Sequence, residues 1–458
     1  MCGVPGLADQ PKRSFHGSLS RWGCFLLACA ALMLLVAVLA PTASAQSPAG
    51  GPHILADAPQ LPYHLPPDTY AKAVALGRIR TGLHFGSELW ELTVLLVFVA
   101  TGRASRLGTW VELKTHRCWL QSLLFGVLVS GGLYLFTQVP VAAIGHSIAL
   151  RYNISVEPWL LWLADQSKAL GLIAAIETPL LMLAFWLLRW SPRRYWLWFA
   201  AAMVPLSILA VVLLPAVVEP LFNDFEPLSQ SHPKLVHDLQ RVVVRTGTSI
   251  PPERMFLMKA SEKSNGLNAY VTGLGPSKRI VVWDTTADRM PEDEVLFTFA
   301  HESGHYVLHH ILKGLAIGAF GLFFFFGAAA WLSERSIACW GRSWRVQNIA
   351  TFPGLTVLLL ACSLLQSITE PLPNTVSRYI EHEADVYGQE AVHGIVADPQ
   401  KTAVAAFNKL GEASLDDPTS HPLLEFWMED HPSIQNRAIF AAHYDPWVPG
   451  QSPKFFPR

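Results

Sequence analysis

The amino-acid sequence predicts a mainly α-helical, polytopic membrane helix bundle carrying a small α/β insert. Three observations predict it: an apolar composition with few charges, six long apolar runs after residue 80, and a polar stretch in which short strand patterns alternate with helical ones. Of 458 residues, 51% are hydrophobic and 15% charged, and the mean hydropathy is +0.30. Soluble domains carry about 25% charged residues, so a soluble enzyme and a disordered chain are both excluded. The net charge of -1 supplies no basic surface for a phosphate backbone, which sets nucleic acid aside as a partner. The 31 Gly and 33 Pro show no repeat, and collagen-like and solenoid architectures fail with them.

A membrane-crossing helix needs about 20 mostly apolar residues. The runs that qualify are Leu89–Thr101 (extended back through Phe85), Leu120–Gln138, Ala169–Leu188, Trp196–Val218, Ile311–Trp331 and Thr351–Ile368. Glu91, Glu177 and Ser363 lie inside these runs. Such groups face a bundle interior or a wet cavity, because exposure to lipid is costly. An earlier run, Phe25–Ala40, follows the basic residues Lys12, Arg13 and Arg21 and ends in Pro41-Thr42-Ala43-Ser44-Ala45. That pattern reads as a cleavable secretory signal, with a retained seventh span as the competing reading. The six cysteines, at 2, 24, 29, 118, 339 and 362, form no C-x-x-C pair and are read as isolated thiols.

The expected organisation is residues 1–45 as signal peptide or first membrane helix, and 46–84 as an extramembrane segment. Membrane helices follow over 85–218, the polar insert over 219–310, two further membrane helices over 311–370, and a second polar segment over 371–458. Loop charge orients the whole. Arg103, Arg106, Lys114 and Arg117, then Arg189, Arg193 and Arg194, then Arg335, Arg342 and Arg345 mark three loops as cytoplasmic, whereas 139–168 holds only Arg151 and Lys168. Both polar segments then share the opposite side.

Within the insert, Leu235, Leu239 and Val242–Val244 give Pro233–Thr246 a helical period, while Met255–Met258, Ala269–Thr272 and Arg279–Trp283 read as strands between turn clusters. From Pro291 a helix begins, its positive end matched by Asp288 or by Glu292-Asp293-Glu294. It carries His301-Glu302-Ser303-Gly304-His305. Residues i and i+4 share one helix face, so both imidazoles point at one metal ion, with Glu302 beside it as a base for a water that zinc activates. Gly304 costs about 1 kcal/mol in a helix interior, which signals a close neighbour.

A catalytic zinc needs a third protein ligand. In the second polar segment, Ser377-Arg378-Tyr379-Ile380-Glu381-His382-Glu383-Ala384-Asp385, Glu381 and Asp385 share a helix face. Glu381 is taken as the ligand and Asp385 as the acceptor for the other N–H of a ligating imidazole. His382 is a ligand only if Glu381 is not. His309 and His310, one turn beyond the pentad, are read as interfacial or supporting residues.

Taken in order, these blocks resemble the CAAX prenyl protease 1 family of integral membrane zinc endopeptidases, with the bacterial heat-shock membrane zinc proteases as more distant relatives. The matching residues are Pro220-Leu221-Phe222-Asn223 through Pro227-Leu228, Asn268-Ala269-Tyr270 with Lys278–Thr285, His301–His305, Ser377–Asp385, and His431-Pro432 with Arg437. The resemblance spans about residues 60–445. It implies a ring of helices enclosing a water-filled chamber, one zinc on His301, His305 and Glu381, and Glu302 as general base. It further implies that Asn268 and Ala269 lie on an edge strand that pairs with substrate. His431 would stabilise an oxyanion, and Arg437 would engage a substrate carboxylate or orient His431. The implied partners are protein or peptide substrates, lipidated ones included, and membrane lipids.

The expected function is a membrane metalloendopeptidase acting on membrane-associated or lipidated proteins. The alternatives are dedicated C-terminal CAAX processing and a non-catalytic scaffold or transporter that keeps the fold. A secretory start and an extracytoplasmic site suit a bacterial inner membrane. Six spans plus a signal depart from the family's seven helices, and that orientation is at odds with a cytosolic prenylated substrate.

Overall fold

The computed structural model describes residues 62–273 and 278–457. The signal or seventh span at Phe25–Ala40, and the cut after Ala45, fall outside the described residues.

Six helices among the described residues are long and apolar enough to cross a membrane. They are α1 (Pro67–Ala100), α3 (Cys118–Arg151), α4 (Trp159–Trp190), α5 (Tyr195–Phe222), α8 (His310–Trp344) and α9 (Phe352–Thr369), with α2 (Arg103–Lys114) as a short connector after α1. Each expected apolar run falls within one of them or overlaps it to within a residue. Most helices outrun the runs, because a helix continues into polar sequence wherever packing holds it. Residues 67–84, expected to lie apart from the membrane helices, form the first half of α1. The most enclosed span is α9, half of whose apolar window is buried against at most 22% elsewhere. Phe352 at its start stacks on Phe185 of α4, with ring centroids 4.3 Å apart, and on Phe125 of α3, at 4.7 Å.

Two spans contain π-helical turns beside prolines: Tyr134–Gln138 before Pro140, and Leu214–Val218 around Pro215. Proline has no N–H for the carbonyl four residues back. The carbonyl that Pro140 leaves free belongs to Phe136, and the Trp90 indole N–H of α1 donates to it at 2.8 Å. At the second turn, Arg279 donates to the Pro215 carbonyl at 2.5 Å and to Glu219 at 2.8 Å, tying the insert to the end of α5. Glu91 inside α1 also finds donors, Ser363 of α9 at 2.8 Å and Gln138 of α3 at 3.2 Å.

The insert forms a four-stranded sheet in the order β1-β2-β4-β3, from β1 (Phe225–Pro227), β2 (Met255–Met258), β3 (Ala269–Thr272) and β4 (Arg279–Trp283). Only β2 and β4 run parallel; β1 and β3 are antiparallel edge strands. The strand β1 was not expected, since Pro227 breaks a three-residue pattern, but an edge tolerates proline. Helix α6 (Pro233–Thr246) buries Leu235, Leu239 and Val242 against Leu257, Ile280 and Val282 of the sheet and Val295, Leu296 and Phe299 of α7 (Glu292–Val307). The second polar segment supplies α10 (Pro371–Ala391), α11 (Pro399–Ser414) and α12 (Ile434–His443) to the same core through Tyr387, Phe407 and Ala438.

One expectation fails in the cysteines. Cys118 is disulfide-bonded, whereas Cys339 and Cys362 are free. Spacing along a chain says nothing about thiols brought together by folding.

The basic connections gather at one end. Gly102, at φ +70°, has the Arg345 side chain where a Cβ would come within 3.3 Å of it. Helix α8 leaves the insert and reaches that end after 35 residues, a rise of about 50 Å at 1.5 Å per residue. A reporter placed near residue 340 is therefore expected on the opposite side of the membrane from one fused after residue 458. Equal accessibility of both to an impermeant label would refute this topology.

Candidate active site

Helices α7 and α10 cross closely at two glycines. A Cβ on Gly388 would lie 2.9 Å from the His301 backbone nitrogen, and one on Gly304 would lie 3.0 Å from the Tyr387 ring. The close neighbour expected for Gly304 is thus Tyr387. This contact brings the His-Glu-x-x-His face of α7 onto the Glu381/Asp385 face of α10.

Candidate ligand atoms of three residues converge there. The Nε2 atoms of His301 and His305 are 3.2 Å apart. Glu381 places Oε2 3.2 Å from His301 Nε2 and Oε1 3.4 Å from His305 Nε2. Tetrahedral zinc with bonds of about 2.0–2.1 Å separates its ligand atoms by about 3.3 Å. The Glu381 Oε2 atom is buried and makes no aligned hydrogen bond, as expected of an oxygen whose partner is a cation. The donor set, two imidazoles and a carboxylate, is one that zinc takes. Residues and geometry therefore fit the ion. His382 turns away and packs its ring on Phe440, with centroids 4.6 Å apart.

Burial and neighbouring charges set the protonation of each group. Burial disfavours a charged His301, yet Asp385 and Glu381 overcome it and push its pKa up to about 10: the site favours a positive charge at this imidazole. Burial and the neighbouring positive charge push His305 down to about 3 and keep it a neutral electron-pair donor. Burial alone would raise Glu381, but the imidazoles hold it at about 2.

Around this centre, Asp385 Oδ1 lies 2.9 Å from His301 Nδ1. Arg437 of α12, expected to engage a substrate carboxylate or orient His431, donates from Nε and Nη2 to both Asp385 oxygens, at 2.9 and 2.6 Å. Its guanidinium also lies over the Phe407 ring, 4.5 Å from the centroid. Burial would raise Asp385, and Arg437 with His301 outweighs it, holding the carboxyl below the usual range. Glu302 sits beside the centre, its Oε1 4.0 Å from His301 Nε2, and burial lifts its pKa above the ordinary carboxylate range. His431 is half exposed, with Nε2 3.4 Å from Glu381 Oε2 and Nδ1 2.8 Å from Asp430. It opens on a cavity of about 710 Å³ that Arg80, Asp416, Glu429 and Arg437 also line. Asn268 and Ala269 lie at the start of β3, where Ala269 pairs with Val282 of β4 and the outer edge of the strand has no partner strand among the described residues.

Sequence reasoning left His310 without a partner. After Val307 the helix breaks, His309 takes a left-handed φ of +58°, and α8 starts at His310. The buried His310 ring then returns beneath the site, with Nδ1 3.1 Å from His305 Nδ1. The only signal was its spacing of five residues from His305.

Two substitutions test the scaffold. Gly388→Ala should cost about 1–3 kcal/mol through overpacking against the α7 backbone, read as a lower unfolding midpoint together with weakened metal retention. Arg437→Met strands Asp385 without its partner and should cost about 3–5 kcal/mol. Arg437→Lys should recover only part of that, because one ammonium cannot span both oxygens; full recovery would show that charge alone matters.

Comparison with known proteins agrees with this architecture. Residues 229–444 match the model of peptidase family M48, and residues 56–224 match that of the CAAX prenyl protease N-terminal region, described as five membrane helices. The chain is 30% identical to the uncharacterized metalloprotease YhfN of Bacillus subtilis (strain 168) over 81% of its own length and 85% of that protein's. It is 24% identical to CAAX prenyl protease 1 of Saccharomyces cerevisiae, over 83% of this chain and 87% of that one. The crystal structure of S. mikatae Ste24p superposes with a TM-score of 0.74 at 22% identity, covering 92% of this chain and 98% of that chain, and so shares the fold. A helical membrane bundle, a His-Glu-x-x-His helix crossed by a carboxylate-bearing one, and these matches place the chain in peptidase family M48, as a multi-pass membrane metalloprotease of the CAAX prenyl protease 1 type.

Proposed function

We propose that this protein is a zinc endopeptidase that hydrolyses peptide bonds of membrane-associated or lipidated proteins, with His301, His305 and Glu381 holding one ion. The observation that carries this reading is the meeting of the two imidazole Nε2 atoms and the two Glu381 oxygens, in contacts of 3.2–3.4 Å, with the Glu302 carboxylate beside them. Bound there, zinc supplies a Lewis acid for the scissile carbonyl and brings the pKa of water to about 7. Glu302, whose pKa burial has raised, accepts the proton of the attacking water and returns it to the leaving amine. Asp385, braced by Arg437, fixes the ring of His301. The unpaired edge of β3 at Asn268 and Ala269 offers backbone groups to an extended substrate strand. His431, whose charged form Asp430 and Glu381 favour against its burial, donates to the developing oxyanion. Residues 219–310 and 371–458 form one catalytic unit, and the membrane helices would enclose the chamber that admits the substrate.

Membrane-anchored chains are the substrate class that a site at the end of a helix bundle reaches. The relatives named CAAX prenyl protease 1 support the narrower reading of C-terminal prenyl-protein processing. The basic loops support the broader one, since a positive-inside orientation favours a site outside the cytoplasm, as in a bacterial inner membrane. An intact Glu302 beside the ligands argues against a scaffold, which needs no base there.

Purified protein is expected to hold one zinc per chain and to lose cleavage on chelation, with zinc restoring it. Glu302→Gln should retain the ion and lose about 10²–10⁴-fold in turnover. Turnover of an unmodified casein-like protein supports the broad reading, and turnover of a farnesylated peptide alone supports the narrow one. Parent-like rates in Glu302→Gln would overturn the mechanism.

A further inference from the structure

The two imidazoles of the site are braced in different ways. His301 leans on a carboxylate, whereas His305 leans on a third histidine. The His305 ring turns Nε2 toward His301 and Glu381, which leaves Nδ1 facing His310 Nδ1 at 3.1 Å. A neutral imidazole carries one proton, and the two nitrogens facing each other can share only one hydrogen bond. If His310 Nδ1 donates, His305 has its proton on Nε2 and cannot coordinate. If His305 Nδ1 donates, its Nε2 lone pair is free.

The surroundings of His310 select the second case. Its far nitrogen, Nε2, is buried without a hydrogen-bond partner and lies 3.5 Å from Glu383 Oε2. A carboxylate there favours a proton on Nε2, which makes Nδ1 the acceptor. The Glu383 charge is itself compensated: Lys454 Nζ donates to Oε1 at 2.9 Å, and Lys313 Nζ lies 3.9 Å from Oε2. Lys454 is held in turn, since its backbone N–H and those of Phe455 and Phe456 donate to the buried Glu390 of α10 at 2.6, 2.7 and 3.1 Å. Lys454 lies beyond residue 444, where the family match ends.

We propose that His310 is a positioning residue that fixes the tautomer and ring plane of His305, and that Glu383 and the Lys454–Phe456 segment hold it in that role. The proposal rests on the reading of His305 as a metal ligand. It explains the left-handed turn at His309, which is the conformation that brings His310 back under α7. It also accounts for the docking of the C-terminal segment, which reaches the metal site through Glu383 and His310 without touching it.

Zinc affinity, measured on the detergent-purified full chain by competition with a chelator, is the direct readout. Removing such an outer partner typically costs 10–100-fold in metal affinity, and His310→Phe should fall about in that range. His310→Gln supplies an amide oxygen that accepts from His305 Nδ1–H and should restore most of the loss. Glu383→Gln and the surface variant Lys454→Ala should each weaken zinc by less than His310→Phe does. In cobalt-substituted protein, His310→Phe should shift the d–d absorption while His310→Gln resembles the parent. Parent-like affinity and spectrum in His310→Phe would overturn the inference, and so would equal losses in His310→Phe and His310→Gln. A parent that holds no zinc at all would remove the ligand reading beneath it, a result distinct from either.

Discussion

Everything at the site depends on one steric constraint: α7 and α10 must cross close enough for the imidazoles of one to meet the carboxylate of the other. Side chains at the crossing would hold the helix axes apart, so Gly304 and Gly388 sit there, each facing atoms of the partner helix. Two chain segments separated by two membrane spans meet only because those spans return the chain to the same end of the bundle. The membrane helices thus act as a long clamp for the crossing, and the buried ring stack of Phe125, Phe185 and Phe352 is one of the points where that clamp is tightened.

Around the crossing, charge is arranged in alternating layers. Arg437 faces Asp385, Asp385 faces His301, and His301 faces Glu381, each contact within 3.2 Å. Alternation of this kind is what makes burial of so many ionisable groups tolerable, since no charge is left without an opposite neighbour. It also gives the site a preferred sign. Two carboxylates against one guanidinium leave a negative remainder, and the imidazole pair is where a cation offsets it.

Much of this was legible in the sequence. The six spans follow from apolar length, the three strands at 255–258, 269–272 and 279–283 from residue type between turn residues, and the facing of His301, His305 and Glu381 from i, i+4 spacing on two helices. What could not be read depends on meetings between distant residues. Nothing local says that Arg437 reaches Asp385 rather than His431, or that Cys118 has a disulfide partner. Likewise, a helix break between Leu308 and His310 leaves no mark in a stretch without Gly or Pro. Pro140 and Pro215 stand beside the π-helical turns, but the donors to the carbonyls of Phe136 and Pro215, Trp90 and Arg279, come from elsewhere in the fold.

The joint at Leu308 and His309 has a mechanical consequence. Only two residues separate the helix that carries both imidazoles from a 35-residue rod through the bilayer. A coupling that short leaves little room for the two helices to reorient independently, so the direction of α8 and the placement of the His305 ring are set together.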